Sequence, residues 1–135
     1  MSDWNERTIS EFRENEGKVG GIFQGAPLLL LHHKGAKTGT DRVSPMMYQS
    51  VGGGYAVFAS KGGADSNPDW LHNLKANPQT KVEVGVDVVD VKARLAEGAE
   101  YHEVWNTQKM RYPNFAQYEE KSSRNHIPVV ILETA

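Results

Sequence analysis

The chain has 135 residues, within the roughly 100–200 typical of one domain, and is long enough to build a core of its own. A net charge of −2 gives no overall attraction to nucleic acid or to an anionic membrane, so any recognition of anions has to be local. The absence of cysteine removes disulfides, thiolate metal sites and cysteine nucleophiles from consideration.

In chain order the first expected element is a helix. Asp3 and Glu6 form a capping box, Trp4, Thr8, Ile9 and Phe12 form an apolar stripe, and Gly17, Gly20 and Gly21 end it. Packing of that stripe on the chain's own barrel is favoured over contact with a membrane surface. Residues 28–33 read as a buried strand and 42–51 as a second, with Pro45 at an edge or bulge. Gly52, Gly53 and Gly54 turn the chain into a third strand over 55–59. A short helix follows, with Asn67 as its cap, Pro68 at its first position and Asn77 closing it in a left-handed turn.

Val82, Val84 and Val86, then Val89, Val91, Ala93 and Leu95, alternate with polar residues on either side of a turn near Asp87, which predicts a hairpin. Tyr101, Val104, Trp105 and Gln108 have helical spacing, Pro113 starts a further helix, and residues 127–133 form the closing strand. Mostly antiparallel strands without a βαβ rhythm indicate an α+β, mainly β fold, a small barrel flanked by helices. Residues 1–25 read as an N-terminal helix and linker, and 26–135 as the barrel domain. The longest apolar run, 26–31, is far short of the about 20 residues that span a bilayer, so no transmembrane segment and a cytoplasmic location are expected.

Several familiar sites are set aside. The run Gly35-Ala36-Lys37-Thr38 lacks the glycine directly before the lysine and the upstream glycine of a phosphate-binding P-loop. His32 and His33 are adjacent and point to opposite faces of a strand, and the other histidines have no zinc spacing, so no metal is expected. Ser60, Ser66, Ser122 and Ser123 lie in no nucleophile elbow. Two cationic loops remain. One, 32–42, brings Lys34, Lys37 and Arg42 together with Gly35 and Gly39; the other places Lys61, Gly62 and Gly63 just ahead of the short helix, where free N–H groups favour an anion. Beside the first loop, Met46 and Met47 can pack on a flat ring, so a planar ring with a negative tail is the natural ligand.

At these residues the sequence resembles the deazaflavin-dependent nitroreductase family, whose members hold coenzyme F420 (8-hydroxy-5-deazaflavin) in a split β-barrel of the flavin-binding type. The resemblance rests on Gly35-Ala36-Lys37-Thr38-Gly39 with Arg42-Val43-Ser44-Pro45, on residues 59–64, on the 67–78 helix and on residues 112–118, and takes in nearly all of the chain after residue 25. It implies that Lys37, Arg42 and Lys61 hold the phosphate and part of the glutamate tail, with Thr38, Gly39 and Gly62 of the two turns as further donors. Pro45, Met46 and Met47 would line one side of the ring, and Ala64, Asn67, Pro68, Trp70 and Asn73 would hold its other parts.

The acceptor would lie over the exposed ring face among Trp70, Tyr112, Phe115 and Tyr118, with Ser60 and Tyr118 orienting it or passing it a proton. The implied activity is hydride transfer from reduced F420 to a hydrophobic conjugated, quinone-like or nitroaromatic acceptor. A deazaflavin or hydrophobic-ligand binder without turnover, and an FMN-dependent reductase of the same barrel type, are the alternatives. The nitroreductase pattern has tyrosine at the position of Phe115, so this chain lacks one pocket hydroxyl. A small-molecule hydride acceptor is the expected partner, with no nucleic acid and with a homo-oligomer open.

Overall fold

The computed structural model describes residues 3–17, 27–60, 67–122 and 127–134. In chain order the elements are α1 (Asp3–Glu14), β1 (Leu28–Lys34), β2 (Asp41–Val51), β3 (Gly54–Phe58), α2 (Asp69–Ala76), β4 (Gln79–Val84), β5 (Asp87–Leu95), α3 (Gly98–Arg111), α4 (Asn114–Lys121) and β6 (Val129–Thr134). The strands close into an antiparallel barrel in the order β1-β2-β3-β6-β5-β4, with β4 returning to β1. The mainly β barrel with flanking helices expected from the sequence is what forms.

Strand runs such as Leu28-Leu29-Leu30-Leu31 are apolar at every position because both barrel faces are covered. Leu29, Leu31, Val57, Val82, Val91, Val130 and Leu132 fill the interior, and Leu71 and Leu74 of α2 pack against them. The intervening positions face outward under helices. Ile9 and Phe12 of α1 cover Leu28 and Leu30, whereas Tyr101, Val104 and Trp105 of α3 cover Ala56, Phe58, Val129 and Ile131. Ile9 and Phe12 of the N-terminal stripe therefore pack on the barrel, as expected, while the side chain of Trp4 lies outside the described residues. Complete burial of one such Leu contributes about 1.5–3 kcal/mol.

Two glycines bring α1 against the β4–β5 hairpin. Gly17, at φ 95°, ends the helix by donating its N–H to Phe12 O at 2.7 Å, and a Cβ there would lie 2.7 Å from Gly85 Cα. A polar latch adds to this contact. Arg13 donates to both carboxylate oxygens of Glu83, at 3.1 and 2.8 Å, and His32 Nε2 lies 2.7 Å from Glu83 Oε2. The guanidinium holds the Glu83 carboxyl below its ordinary range, against a burial effect that raises it.

Four boundaries differ from expectation. The β4–β5 turn falls at Gly85 and Val86, with Val84 paired to Asp87, because Gly85 supplies the positive φ of 60° that a two-residue hairpin needs; Val86 is turned out to solvent. Pro68, not Asn67, is the N-cap of α2, extended at φ −69° and ψ 154°, and Asp69 opens the helix. Asn77 ends α2 at φ −135° rather than left-handed, the extended conformation favoured before a proline. The final strand starts at Val129, two residues later than expected. The capping side chain of Asp3, and Gly20 and Gly21, lie outside the described residues. Among the described residues no helix is long and apolar enough to cross a membrane.

Candidate functional site

The barrel closes, but among the described residues β2 has a neighbour on both sides over only part of its length. All of β2 from Asp41 to Met47 pairs with β1, but β3 joins β2 only from Tyr48 onward. Tyr48 donates its N–H to Pro27 O across the β1 side at 3.1 Å, so by the alternation of an antiparallel ladder Ser44 and Met46 also direct their N–H and C=O groups to β1. Val43, Pro45 and Met47 then direct theirs away from β1, where no described strand meets them. Pro45 carries no N–H, so its position opposite Leu30 on the open edge removes no ladder bond, as its sequence position indicated.

Side chains on the two faces of this half-strand belong to different surroundings. Met46 faces the barrel interior, as does half-buried Trp70 of α2, and both pack on the inner core. Met47 faces outward to the α1 and α3 side, where Tyr112 and Tyr118 also pack. The paired methionines expected to line one ring face thus sit on opposite sides of the strand, a consequence of its period of two. The open edge lies between them.

At the start of the same strand is the cationic hairpin. Gly35 donates its N–H to Thr40 O at 2.9 Å, Gly39 at φ 69° returns its N–H to Gly35 O at 2.8 Å, and the Thr38 hydroxyl accepts from Thr40 N–H at 3.3 Å. Lys37 and Arg42 are exposed, and neither forms an ion pair with a carboxylate among the described residues. Lys61, Gly62 and Ala64 lie outside the described residues. Asn67 and buried Pro68 lead into α2, and Ser60, also buried and already engaged in a contact, follows β3.

A residue unassigned by the sequence reading sits behind the hairpin. His33 is 5% exposed, with Nε2 2.9 Å from Ser44 Oγ and Nδ1 2.9 Å from Asn73 Nδ2; Asn73 Oδ1 in turn accepts from Ala36 N–H at 2.9 Å. Burial, then the positive charges of Arg42 and His32, push the imidazole down to about 4, while Asp69 opposes the shift. His33 is therefore neutral at pH 7. The sequence placed His32 and His33 on opposite faces, which is what forms, but no motif signalled that the inward one would be part of a network. Asn73 is buried with its amide oxygen and nitrogen both engaged inside the protein.

On the outer side of the open edge, Phe115 is buried at the centre of an aromatic cluster. Its ring lies 5.4 Å from Tyr118, 5.6 Å from Phe58, 6.1 Å from Trp105 and 6.5 Å from Tyr112. Tyr112 and Tyr118 are half-buried, so it is these rings, backed by Phe115, that reach the surface. The Tyr118 hydroxyl accepts from Asn114 Nδ2 at 3.0 Å, which leaves its own proton free to be donated elsewhere.

A cavity of about 940 Å³ opens beside the base of the hairpin, between the ends of β1 and β6 and the middle of β5, with His33, Arg42, Thr80, Lys92 and Thr134 in its wall. Among the described residues expected to hold the cofactor, Arg42 lines it. Pro45, Met46 and Met47 lie on the half of β2 with the open edge, and Asn67, Pro68, Trp70 and Asn73 lie at α2. No group of three or more metal-ligating side chains occurs among the described residues.

The donor set suits a deazaflavin with an anionic tail. Two cations with no described carboxylate partner stand beside a turn of small residues, an open strand edge offers peptide donors and acceptors to a planar heterocycle, and a thioether and an indole flank that edge. The chain is 38% identical to an F420H(2)-dependent quinone reductase of Mycobacterium tuberculosis over 98% of this chain and 97% of that one. A solved structure described as an F420-H2 dependent reductase is 41% identical, with a TM-score of 0.71, covering 79% of this chain and 94% of its own. Another, described as a domain-swapped dimer, is 39% identical with a TM-score of 0.73 and covers 95% and 92%. The sequence pattern of the F420H(2)-dependent quinone reductases matches residues 4–134, and the chain belongs to that family.

Proposed function

We propose that this protein transfers a hydride from reduced coenzyme F420 to a hydrophobic, quinone-like acceptor. The observation that carries the reading is the open edge of β2, set between Lys37 and Arg42, which have no carboxylate partner among the described residues, and the half-buried tyrosines Tyr112 and Tyr118. When bound, the reduced deazaflavin supplies a hydride from its central ring carbon. Lys37 and Arg42 bind the phosphate by charge-assisted hydrogen bonds, joined by Lys61 of the second loop. Met46 and Trp70 pack on the ring from the barrel side. Peptide groups of Val43 and Met47 would hold the ring's polar edge, and together these contacts would orient the ring for transfer.

Tyr112 and Tyr118 stack on the acceptor and exclude water from it, while Phe115 holds their rings in place from behind. Reduction of a quinone to a hydroquinone consumes one hydride and one proton. Hydride addition converts the quinone to its hydroquinone monoanion, and the proton neutralises the remaining oxyanion. Tyr118 donates that proton, because its oxygen accepts from Asn114 and its own O–H stays available, and water reprotonates the phenolate; Ser60 orients the acceptor.

The deciding experiment is anaerobic mixing of the protein with F420H2 and menadione, followed by recovery of the oxidised deazaflavin absorbance. Menadione-dependent oxidation well above the protein-free rate supports the reading. Absence of F420 binding in a fluorescence titration overturns it, and binding without turnover on any quinone reduces the protein to a cofactor binder. Light scattering of the purified chain tests whether it forms a dimer, as one related structure does.

A further inference from the structure

The cationic hairpin is held in shape by its own backbone bonds, but these do not orient it toward α2, the helix that carries Trp70. Leu71 and Leu74 pack α2 on the barrel interior, and the polar link to the hairpin itself is made by two buried side chains. Asn73 of α2 accepts from Ala36 N–H in the hairpin and donates to His33 Nδ1, each at 2.9 Å. Because Nδ1 accepts, the imidazole proton is on Nε2 and is donated to Ser44 Oγ of β2 at 2.9 Å. Three elements are thus joined through one amide and one imidazole, which are 6% and 5% exposed. Loss of either group strands a buried partner without solvent to replace it.

We infer that Asn73 and His33 are positioning residues for anion recognition: they clamp the hairpin of Lys37 and Arg42 to α2, so that the cations and the ring-binding side chains address one ligand at the same time. The inference rests on the F420 reading and assigns to Asn73 a different task from direct contact with the cofactor. A clamp of this kind acts on the tail, whereas a general structural role would act on tail and ring alike.

The test compares two ligands on folded protein: F420, and the ring-bearing deazaflavin riboside that lacks the phosphate and glutamates. Asn73→Ala and His33→Leu should each weaken F420 roughly five- to tenfold, and leave the riboside within about twofold of the parent. The double variant should be no weaker than Asn73→Ala alone, since both changes break one chain of bonds. Equal losses for the two ligands, additive losses, or no loss at all overturn the inference while leaving the F420 reading intact. A parent that binds no F420 overturns that reading and this inference with it. Amide exchange on the unmodified protein gives a check that needs no variant. The Ala36 N–H should exchange far more slowly than the exposed amides of the same turn, and equally fast exchange refutes the clamp.

Discussion

Replacement of Arg42 by alanine is the sharpest probe of the open-edge site. The side chain is exposed and has no carboxylate partner among the described residues, so its loss should leave stability within about 0.5 kcal/mol of the parent. Toward a phosphate the same guanidinium makes charge-assisted bonds in a partly wet setting. Such a contact lies between the roughly 0–1 kcal/mol of a surface ion pair and the 1.5–3 kcal/mol of a bond to a charged group, so about 1–2 kcal/mol is expected. The F420 dissociation constant should then rise roughly five- to 30-fold in low salt, and the ratio to the parent should shrink as screening increases. A second readout comes from the neighbouring imidazole. Arg42 is one cause of the depressed His33 titration, so proton NMR should find His33 of the variant titrating above its parental value near 4. Fluorescence quenching measures the affinity, with Lys92→Ala as the comparison because Lys92, on β5, lines the adjoining cavity but is no part of the hairpin. Unchanged F420 affinity in Arg42→Ala, or an equal loss in Lys92→Ala, would refute placement of the tail at the hairpin.

Four further outcomes follow from the same geometry. Tyr118→Phe should keep F420 affinity near parental and slow quinone reduction in stopped-flow traces; a parental rate on every quinone tested removes its hydroxyl from the chemistry. Phe115→Tyr should lower the melting temperature by roughly 3–10 °C, since a new hydroxyl among Phe58, Trp105 and two tyrosines costs about 1–3 kcal/mol when unsatisfied; an unchanged melting temperature with new nitroimidazole turnover would instead put this position in the pocket. Gly54→Ala should fail to accumulate as folded protein, because a Cβ there would lie 2.1 Å from Leu132 O in the neighbouring strand; a parental circular-dichroism melt would contradict that packing. Stability should fall as pH drops. His33 is neutral when folded and takes a proton between about 4 and its unfolded value of about 6.5 only on unfolding, so its contribution is complete above 6.5 and lost by 4; Glu83, lowered by Arg13, adds a loss at more acidic pH. A thermal melt that is flat from pH 7 to pH 4 is incompatible with a buried neutral His33.

Local grammar carried most of the architecture. Alternating valines, glycine turns and the apolar stripe of α1 each report on their own few residues, and the elements they announce are present. Boundaries slipped where a neighbour decided the outcome: Gly85 drew the hairpin turn back from Asp87, and Pro78 pulled Asn77 into an extended conformation. The hairpin that carries Lys37 and Arg42 was legible as a loop between two strands, because its glycines and charged residues interrupt the apolar run. Three parts of the site were not. The opening of β2 depends on where β3 stops pairing with it, a property of two strands that neither sequence segment contains. The bond from His33 to Asn73 spans 40 residues and leaves no local trace, and Phe115 read as a pocket wall because a helix face alone does not reveal that Phe58 and Trp105 enclose it.

The order of strands around the barrel has a consequence for how the chain reaches this state. β6 lies between β3 and β5, so the last strand in sequence is a central member of the cylinder. Until Val129–Thr134 is in place, the edges of β3 and β5 remain unpaired and the leucines of β1 have only part of their cover. Closure therefore waits for β6, and an intermediate that lacks it exposes apolar strands on both faces. Folding should be slow and non-local, and protection of that intermediate from self-association falls to α1, adjacent to β1 in sequence, whose Ile9 and Phe12 can shield Leu28 and Leu30 before the cylinder closes.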